Sequence, residues 1–422
     1  MAEDEFGQVA DLDTIVSYGL CAACGLCESL AGLDRVEMAL TSAGRMRPVT
    51  KSALDDDLMA RIRDVCPGVT LVGPDPAQTD DKGTFHDIWG PIRTMARGWS
   101  TNEDLRFSSA AGGAMTALGC FLLETGKVDA VVHVRASATS PTETDALVSR
   151  TVEEVRSGAQ SRYGPAAPLR HICRLLDQGE RLAVLAKPCD VAAIRNLGRI
   201  DPRVEEQIPY LITIFCGGLP TTHTADKITR YHGLEPDDVT LFRWRGNGWP
   251  GPTHIETHDG STHDLTYDKV WYSDDVPWEY DIQFRCKICP DAIGELSDVS
   301  CPDAWVMIDG KPSHAESDGA NLFIARTPAG EELIAEARAA GAIALEPFTI
   351  RELDLQHADH ITRKVENPAR VRALRAEGQP APVFQGFRDT KMVEIAGQQQ
   401  DRDAEQGTVR RLREGAHREP LT

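Results

Sequence analysis

The spacing of apolar residues along the chain predicts helices that alternate with short, buried strands. Over residues 54–65, apolar positions recur three and four residues apart, which predicts a helical face that ends at Cys66-Pro67-Gly68. Further along the chain, segments with helical spacing of apolar residues alternate with short continuous apolar segments that predict strands. The predicted helices are Ala114–Leu123, Ala167–Gln178, Asp190–Leu197 and Ala329–Ala340, and the predicted strands are Val128–Val134, Arg181–Ala186 and Pro209–Phe215.

This alternation predicts an α/β fold with a mixed, largely parallel sheet at its core and helices around it. Ligands gather at the carboxyl ends of parallel strands, and Cys189 and Cys216 follow two of the predicted strands. Short segments rich in Trp, Thr and Gly over Val239–Tyr272 predict a β-rich insertion. Residues beyond Ala396 are rich in Gln and charge without apolar periodicity, which predicts a solvated tail.

Composition and charge narrow the range of partners. Among 422 residues, 45 Lys and Arg stand against 65 Asp and Glu, which gives a formal net charge of −20. Such an acidic protein is a poor binder of nucleic acid or of an anionic membrane surface. Met1–Asp13 holds no basic residue, so we expect no secretory signal, and the apolar runs fall short of the roughly 20 residues that span a membrane. We therefore expect a cytoplasmic protein without a nucleic-acid or membrane partner.

The cysteines are the most informative residues, because a reducing cytosol favours metal ligation over disulfides. The first cluster begins with three cysteines in the pattern Cys-x-x-Cys-x-x-Cys. A fourth cysteine, much later in the chain, precedes a proline, as in bacterial ferredoxins. A zinc site is the alternative, but three cysteines at this spacing crowd a tetrahedral ion and suit an iron–sulfur cubane. The predicted ligands are Cys21, Cys24, Cys27 and Cys66.

A second cluster of cysteines lies after residue 285. Cys286 and Cys289 form another Cys-x-x-Cys pair, and Cys301 follows at a distance. A fourth ligand would come from Cys189 or Cys216 at a strand end, and the zinc interpretation is stronger here than at the first cluster. The remaining thiols, Cys120 and Cys173, lie on predicted apolar helix faces and are expected to be inert core residues.

With both clusters and the intervening motifs in view, the chain resembles the coenzyme F420 hydrogenase/dehydrogenase beta-subunit family, which includes 7-hydroxymethyl chlorophyll a reductases. The resemblance extends from about Cys21 to Ile350. Each motif alone is weak, whereas their order and spacing together are specific. The motifs are residues 111–118 (AGGAMTAL), 161–165 (SRYGP), 187–190 (KPCD), 215–218 (FCGG), 242–243 with 248–249, and 285–291 (RCKICPD) with Asp298.

The resemblance implies an oxidoreductase that contains FAD and one or two 4Fe-4S clusters, two being favoured by the number of thiols. Gly112 and Gly113 at a helix start would let backbone N–H groups approach a pyrophosphate, although an ordinary Gly-rich helix start is the alternative. Thr116 could add a hydroxyl contact, and Arg162 and Lys187 could offer cations to phosphate or to a reduced flavin. The resemblance therefore implies cofactor contacts from Gly112, Gly113, Thr116, Arg162, Tyr163 and Lys187.

Two positions depart from the family pattern. Ala110 and Ala111 stand where the family usually has serine before the paired glycines, so that one phosphate contact is lost or moved. Cys301 stands where a glycine is usual, and it is either an extra ligand or a packed thiol. The ligands of the second cluster therefore remain a choice among Cys189, Cys216, Cys286, and Cys289 or Cys301.

These expectations divide the chain into five parts. The second and third parts form the α/β core, and a Pro- and Asp-rich connector at residues 73–82 closes the first. The parts are a ferredoxin-like iron–sulfur segment (1–82), an N-terminal flavin-binding region (83–180), a C-terminal family domain with the second cysteine cluster (181–350), a C-terminal extension (351–395) and a disordered tail (396–422).

The leading hypothesis is an enzyme that moves electrons between the clusters and FAD and exchanges hydride with an organic substrate, either a coenzyme of the F420 type or a tetrapyrrole. Its expected partner is a ferredoxin-like electron donor or acceptor, and it could be a homo-oligomer or a subunit of a redox complex. One alternative is an electron-transfer subunit without its own substrate, and another is a zinc-binding scaffold without redox activity. The sequence assigns no catalytic residue.

Overall fold

The computed structural model describes residues 11–78, 82–275 and 281–421. The first ten residues of the acidic N-terminus and residues 79–81 of the expected connector lie outside these ranges, so those two predictions stay untested there. Within the described ranges, no helix combines the length and apolar character needed to cross a membrane.

Helices and short strands alternate along most of the chain. The helices are α1 (Leu12–Ser17), α2 (Leu26–Ala31), α3 (Asp56–Val65), α4 (Glu103–Ser108), α5 (Ala114–Glu124), α6 (Val152–Ser157), α7 (Ile172–Asp177), α8 (Pro188–Gly198), α9 (Arg203–Gln207), α10 (Thr222–Tyr231), α11 (Tyr267–Tyr272), α12 (Phe284–Lys287), α13 (Pro328–Ala339), α14 (Ile350–Gln356), α15 (Ala358–Ala376) and α16 (Asp389–Arg413). The strands are β1 (Val36–Leu40), β2 (Met46–Thr50), β3 (Thr70–Val72), β4 (Thr84–His86), β5 (Gly90–Ile92), β6 (Thr94–Ser100), β7 (Ala130–Ala136), β8 (Thr144–Ser149), β9 (Leu182–Leu185), β10 (Tyr210–Thr213), β11 (Val239–Arg243), β12 (Thr253–Thr257), β13 (Thr262–Leu265), β14 (Val299–Ser300), β15 (Val306–Ile308), β16 (Lys311–Ser313), β17 (Asn321–Ala325), β18 (Ile343–Pro347) and β19 (Val383–Gln385).

The core is a mixed sheet of eight strands in the order β18-β6-β17-β14-β10-β9-β7-β8. Strands β14, β10, β9 and β7 are parallel to one another. Both edges are antiparallel, since β17, β6 and β18 extend one side and β8 closes the other. The predicted α/β class with a mixed sheet is confirmed, and the parallel part is confined to the centre.

Helices cover both faces of the central strands, as the alternation of their side chains requires. Leu185 of β9 points to the face covered by α5 and α13, and Val184 points to the face covered by α7 and α8. Neighbouring residues of β9 thus lie in two separate hydrophobic clusters, each fully buried. This arrangement fixes the register of β9. The residues that follow β9, including Lys187 and Cys189, therefore lie at the carboxyl edge of the sheet.

Most predicted helices and strands match observed ones within a few residues. The predicted helix at Ala167–Gln178 is shorter, because Pro168 lacks the N–H that a helix interior needs and α7 begins only at Ile172. The predicted β-rich insertion forms a three-stranded antiparallel sheet, β11-β12-β13, and ends in α11.

The expectation of a disordered tail after Ala396 is wrong. The segment continues α16, with a break at Gly397 (φ +71°), and α16 packs along α15. Ion pairs join the two helices: Arg372 contacts both Asp401 and Glu405, at 2.6 and 3.1 Å. A helix held mainly by charged pairs leaves almost no apolar periodicity in its sequence, which is why the pattern suggested disorder.

The C-terminal region closes over the N-terminal segment. Leu374 of α15 and Leu412 of α16 lie in the same buried cluster as Ile15 and Ile62. Beyond α16, the backbone N–H of Glu419 donates to the carbonyl oxygen of Ser17. The C-terminal helices and the residues after them therefore pack against the cysteine-rich N-terminal segment.

Candidate functional site

The first thiol group is built on a tight loop between α1 and α2. Ala23 (φ +59°) and Gly25 (φ +86°) adopt left-handed backbone conformations, which turn the loop around its cysteines. The backbone N–H of Ala23 donates to the sulfur of Cys21 at 3.4 Å, a contact that stabilises a thiolate. The group comprises Cys21, Cys24, Cys27 and Cys66.

The members of the first thiol group face one another. Burial raises the pKa of each thiol, and for three of them the charge of neighbouring thiols raises it further. Cys66 and Cys21 act in this way on Cys24, and Cys27 is affected by all three of the others. The pKa of Cys66 rises to about 12. Buried thiolates that repel one another require positive charge between them, so the donor set fits a metal cluster.

The second thiol group is assembled from three separate parts of the sheet's carboxyl edge. One member lies in the first turn of α8, one follows β10, and two lie at the end of α12. The backbone N–H of Cys216 is fixed by the carbonyl oxygen of Ala292 at 2.8 Å. The group comprises Cys189, Cys216, Cys286 and Cys289.

Mutual repulsion also links the second thiol group. Burial raises the pKa of Cys216 to about 12, and the charges of Cys286 and Cys289 contribute to the rise. Burial likewise raises the pKa of Cys189, where Cys216 and Cys286 add to the effect of Asp190. The structure therefore brings Cys189 and Cys216 together with the Cys-x-x-Cys pair, instead of only one of them.

Cys301 lies apart from both thiol groups. It follows β14, is 1% exposed, and packs in the hydrophobic cluster beneath α5. Burial is the only cause that raises the pKa of its thiol, whereas neighbouring thiols also raise the pKa of Cys189, Cys216 and Cys289. Of the two alternatives for Cys301, an extra ligand or a packed thiol, its surroundings favour the packed thiol.

Two buried arginines lie between the thiol groups. The guanidinium of Arg47 lowers the pKa of Cys21 and is itself affected by the charge of Cys286, so it lies near both groups. It is held by Glu419, whose carboxylate accepts from Nε at 2.7 Å. Arg285 donates to the carbonyl oxygen of Pro67 at 2.7 Å, and its charge lowers the pKa of both Cys66 and Cys289. The two groups therefore share their buried positive charge.

Lys187 lies beside the second thiol group. Its Nζ contacts the Asp190 carboxylate at 2.6 Å, and the Asp190 side chain is fully buried. The charges of Cys189 and Cys216 favour the ammonium form of Lys187. This lysine thus places a cation beside the thiols at the carboxyl edge of the sheet.

An aromatic cluster surrounds a third buried arginine, which lies next to the loop before α5. Arg245 donates to the carbonyl oxygen of Ala110 at 2.7 Å and pairs with the carboxylate of Asp303 at 2.8 Å. Its guanidinium lies 5.1–5.9 Å from three aromatic ring centroids. We call this set the Arg245 cluster: Arg245, Trp249, Tyr267, Asp303 and Trp305.

The residues at the start of α5 fit a bound dinucleotide in part. Gly113 opens the helix in a left-handed conformation, and the nearby Ser109 hydroxyl is buried without a hydrogen-bond partner in the described structure. In the Arg245 cluster, the buried indole N–H of Trp249 lacks a partner within the same residues. These two orphaned groups fit a polar ligand that spans the loop and the cluster. Gly112 serves packing instead, since a Cβ there would lie 2.8 Å from the backbone of Asn321.

The other expected cofactor residues have separate surroundings. Thr116 lies half-buried in the first turn of α5. The Arg162 guanidinium donates to the carbonyl oxygens of Phe242, Pro141 and Glu143 and so joins these loops, and its buried Nε has no partner among the described residues. The hydroxyl of Tyr163 accepts from Arg245 at 3.3 Å, which places this ring at the Arg245 cluster.

A further group of potential ligands was missed in the sequence. Side-chain atoms of His357, Asp359 and His360 all lie within 4.8 Å of one another at the start of α15. Both imidazole rings pack against Phe215, with centroids 4.9 and 5.2 Å away. The spacing His-x-Asp-His at the start of a helix was the available signal, although such a short motif is common by chance.

A mixed α/β sheet that carries two convergent groups of four cysteines, all of them buried or half-buried, is typical of redox proteins. Residues 95–173 match the description "Coenzyme F420 hydrogenase/dehydrogenase, beta subunit N-term", and residues 179–350 match its C-terminal counterpart. Together the two matches cover more than half of the chain. The chain belongs to the coenzyme F420 hydrogenase/dehydrogenase beta-subunit family. The first thiol group and the His357 group lie outside both matches.

Three relatives illustrate the family. The coenzyme F420-dependent sulfite reductase of Methanocaldococcus jannaschii is 25% identical over 84% of this chain, which spans only about half (52%) of that relative. The coenzyme F420 hydrogenase subunit beta of Methanothermobacter thermautotrophicus is 22% identical over 70% of this chain and 99% of its own length. A chain of the F420-reducing NiFe hydrogenase complex from Methanosarcina barkeri has the same fold, with a TM-score of 0.55, 19% identity, and coverage of 70% of this chain and 97% of that chain.

Proposed function

We propose that the protein is an iron–sulfur flavoprotein oxidoreductase that links two 4Fe-4S clusters to the chemistry of an organic coenzyme of the F420 type. The observation that carries this proposal is the convergence of eight buried or half-buried cysteines into two groups of four. Within the described residues, no three of these sulfurs lie within 4.8 Å of one another. A tetrahedral zinc ion with Zn–S bonds of 2.3 Å needs sulfurs about 3.8 Å apart, so the wider spacing favours cubane clusters.

Each thiol group would hold one cluster, and the surrounding residues stabilise the negative charge of the thiolates. Backbone N–H groups donate to the sulfurs of the first group, and Arg47 and Arg285 serve both groups. Lys187 acts on the second group alone. Because Arg47 and Arg285 act on thiols of both groups, the two clusters would lie close enough to share this positive charge.

FAD, when bound, supplies the exchange between two-electron hydride transfer and single-electron transfer. Ser109 and the N-terminus of α5 would bind its phosphates, since both offer unpaired or partly paired donors beside Gly113. The Arg245 cluster would present its aromatic rings to one side of a flat heterocycle. Thr116 and Tyr163 border these two regions. This chain's residues thereby orient the cofactor and exclude water, and no side chain is assigned a proton-transfer role.

The identity of the coenzyme and partner rests on the relatives. Those described above are named as an F420-dependent reductase and a hydrogenase subunit, which favours a deazaflavin substrate over a tetrapyrrole. The name of the hydrogenase relative supports a role as the subunit of a larger redox complex. A ferredoxin-like partner and a cytoplasmic location stay predictions from the sequence. The electron-transfer alternative without its own substrate is favoured by one observation: the hydrogenase relative is a subunit and this chain spans nearly all of it.

Anaerobic purification with assays for iron, sulfide, zinc and flavin tests the proposal. We expect about eight iron atoms and eight sulfides per chain with one FAD. A colourless protein that contains zinc and no flavin would instead establish the scaffold alternative. A second assay distinguishes an enzyme from an electron-transfer subunit. The purified chain is mixed with a reduced F420-type coenzyme in the absence of other proteins, and only an enzyme should accept electrons from the coenzyme under these conditions.

A further inference from the structure

Outside the thiol groups, the structure assembles a compact set of nitrogen and oxygen ligands at the start of α15. His357, Asp359 and His360 each offer one ligand atom, and the three atoms all lie within 4.8 Å of one another. Among the residues that the structure describes, no other such group of three exists. We propose that these side chains bind one divalent transition-metal ion.

The hydrogen bonds of His357 prepare its ring for metal binding. Its Nε2 lies 3.1 Å from the carbonyl oxygen of Asp303, so Nε2 carries the proton and donates to that oxygen. The lone pair of the other ring nitrogen, Nδ1, is then available to a metal. Metal-binding histidines regularly donate their second ring N–H to a carbonyl or carboxylate in this way.

His360 offers its Nδ1 to the same ion. That nitrogen lies 3.2 Å from an Asp359 carboxylate oxygen, a separation that two ligands of one metal ion can have. The His360 side chain is only 9% exposed, so the surrounding residues hold the ring in this position.

The donor set selects the class of metal. Two imidazoles and one carboxylate suit zinc or ferrous iron, whereas calcium and magnesium prefer sets made of oxygen only. The Asp359 side chain is 68% exposed, so the site opens to solvent on that side. Water would complete the coordination sphere there, and an added ion has a path to the site.

The site lies between the two regions proposed to carry out redox chemistry. Phe215, which packs on both imidazoles, directly precedes Cys216 of the second thiol group. Asp303, whose carbonyl accepts from His357, pairs through its carboxylate with Arg245. The ion would therefore brace the contact between the second thiol group and the Arg245 cluster. The metal site itself does not depend on the proposed function.

Calorimetric titration of Zn²⁺ into the anaerobically purified full-length protein tests the proposal, after its iron content has been measured. We expect one site per chain in addition to any metal held by cysteines. Asp359→Asn should weaken binding by at least about 10-fold, because loss of a ligand costs no less than loss of a residue that merely supports one. His360→Gln should do the same, and the exposed position of Asp359 keeps the test valid if the histidine variant fails to fold.

Asp264→Asn is the matched control, since its carboxylate also contacts a histidine, His254, at 2.7 Å but lies outside the group. It should bind Zn²⁺ as the unaltered protein does. Absence of the additional site, or equal affinity of Asp359→Asn and Asp264→Asn, would overturn the proposal. Cys24→Ala should retain the site even where it lowers the iron content, which separates this inference from the proposed function.

Discussion

The two thiol groups have the same number of members but are built in different ways. Three members of the first group lie within seven residues of one another, on a loop shaped by Ala23 and Gly25. The second group draws its members from α8, from the end of β10 and from α12, which lie up to 100 residues apart in the chain. A local loop thus sets the geometry of one group, and the strand order of the sheet sets the geometry of the other.

This difference extends to the positive charge beside the thiols. Arg47 reaches the first group from β2 and is held by Glu419, near the end of the chain. At the second group, Lys187 lies two residues before Cys189 and forms an ion pair with Asp190, the residue after Cys189. The locally built group therefore depends on distant residues for its charge, and the group built from distant parts has a cation close by.

The largest expected effect is the separate loss of one cluster or the other. Cys24→Ala should lower the iron content by about four atoms per chain and leave the second cluster in place. Cys286→Ala should remove the other four and leave the first, because each cubane needs its own four thiolates. Iron and sulfide assays on anaerobically purified protein measure both losses.

Cys120→Ala is the matched control for both variants. Cys120 is a buried thiol of α5 that belongs to neither group, so this variant should retain all of its iron. A loss of eight iron atoms from either ligand variant would mean that the two clusters assemble as one unit. No loss from Cys24→Ala would show that the N-terminal assignment is incorrect.

The contrast between the groups also explains what could be predicted from the sequence. Three members of the first group follow from spacing, because a loop with Cys-x-x-Cys-x-x-Cys brings their sulfurs together whatever the rest of the fold does. The fourth, Cys66, was predicted only because it precedes a proline, as in bacterial ferredoxins. Whether Cys189, Cys216 or both join Cys286 depends on which strands are neighbours, and spacing does not contain this information. The helices α3, α5 and α8 were predicted because their apolar faces are regular.

The C-terminal region was mispredicted for a related reason. The contacts of α16 with α15 include ion pairs such as Arg372 with Asp401, which leave no regular apolar pattern. Cross-chain contacts like that of Glu419 with Arg47 are equally invisible before the fold is known. The His357 group was missed because its partners Asp303 and Phe215 become neighbours only in the folded chain.

The next largest effect concerns the local cation of the second group. Lys187→Met should destabilise the protein by about 3–5 kcal/mol, because it leaves the fully buried carboxylate of Asp190 without its partner. The midpoint of urea unfolding, followed anaerobically by tryptophan fluorescence and circular dichroism, measures the change.

The double variant Lys187→Met with Asp190→Asn is its control. Removal of both charges leaves no uncompensated ion, so most of the lost stability should return. Equal destabilisation of the single and double variants would contradict this account and would mean that Lys187 acts through the thiols of the second group alone. The comparison therefore separates the ion pair from the electrostatic support of a cluster.

The smallest expected effect tests whether Cys301 belongs to the second thiol group. Cys301 is more buried than any of the eight proposed ligands and follows Cys289 in the chain, and its surroundings are the apolar side chains beneath α5. Cys301→Ala should therefore keep the full iron content. Its free energy of unfolding should fall by only about 0.5–1.5 kcal/mol, as expected when one buried heavy atom is removed from a packed core.

Cys289→Ala provides the matched comparison for that variant, since it removes the same atom from a thiol that the neighbouring cysteines repel. It should lose about four iron atoms per chain. If the two variants exchanged these results, Cys301 would be the ligand and the side chains after β14 would have to rearrange around the cluster. Because burial alone raises the pKa of Cys301, without a contribution from another thiol, we expect iron loss from Cys289→Ala alone.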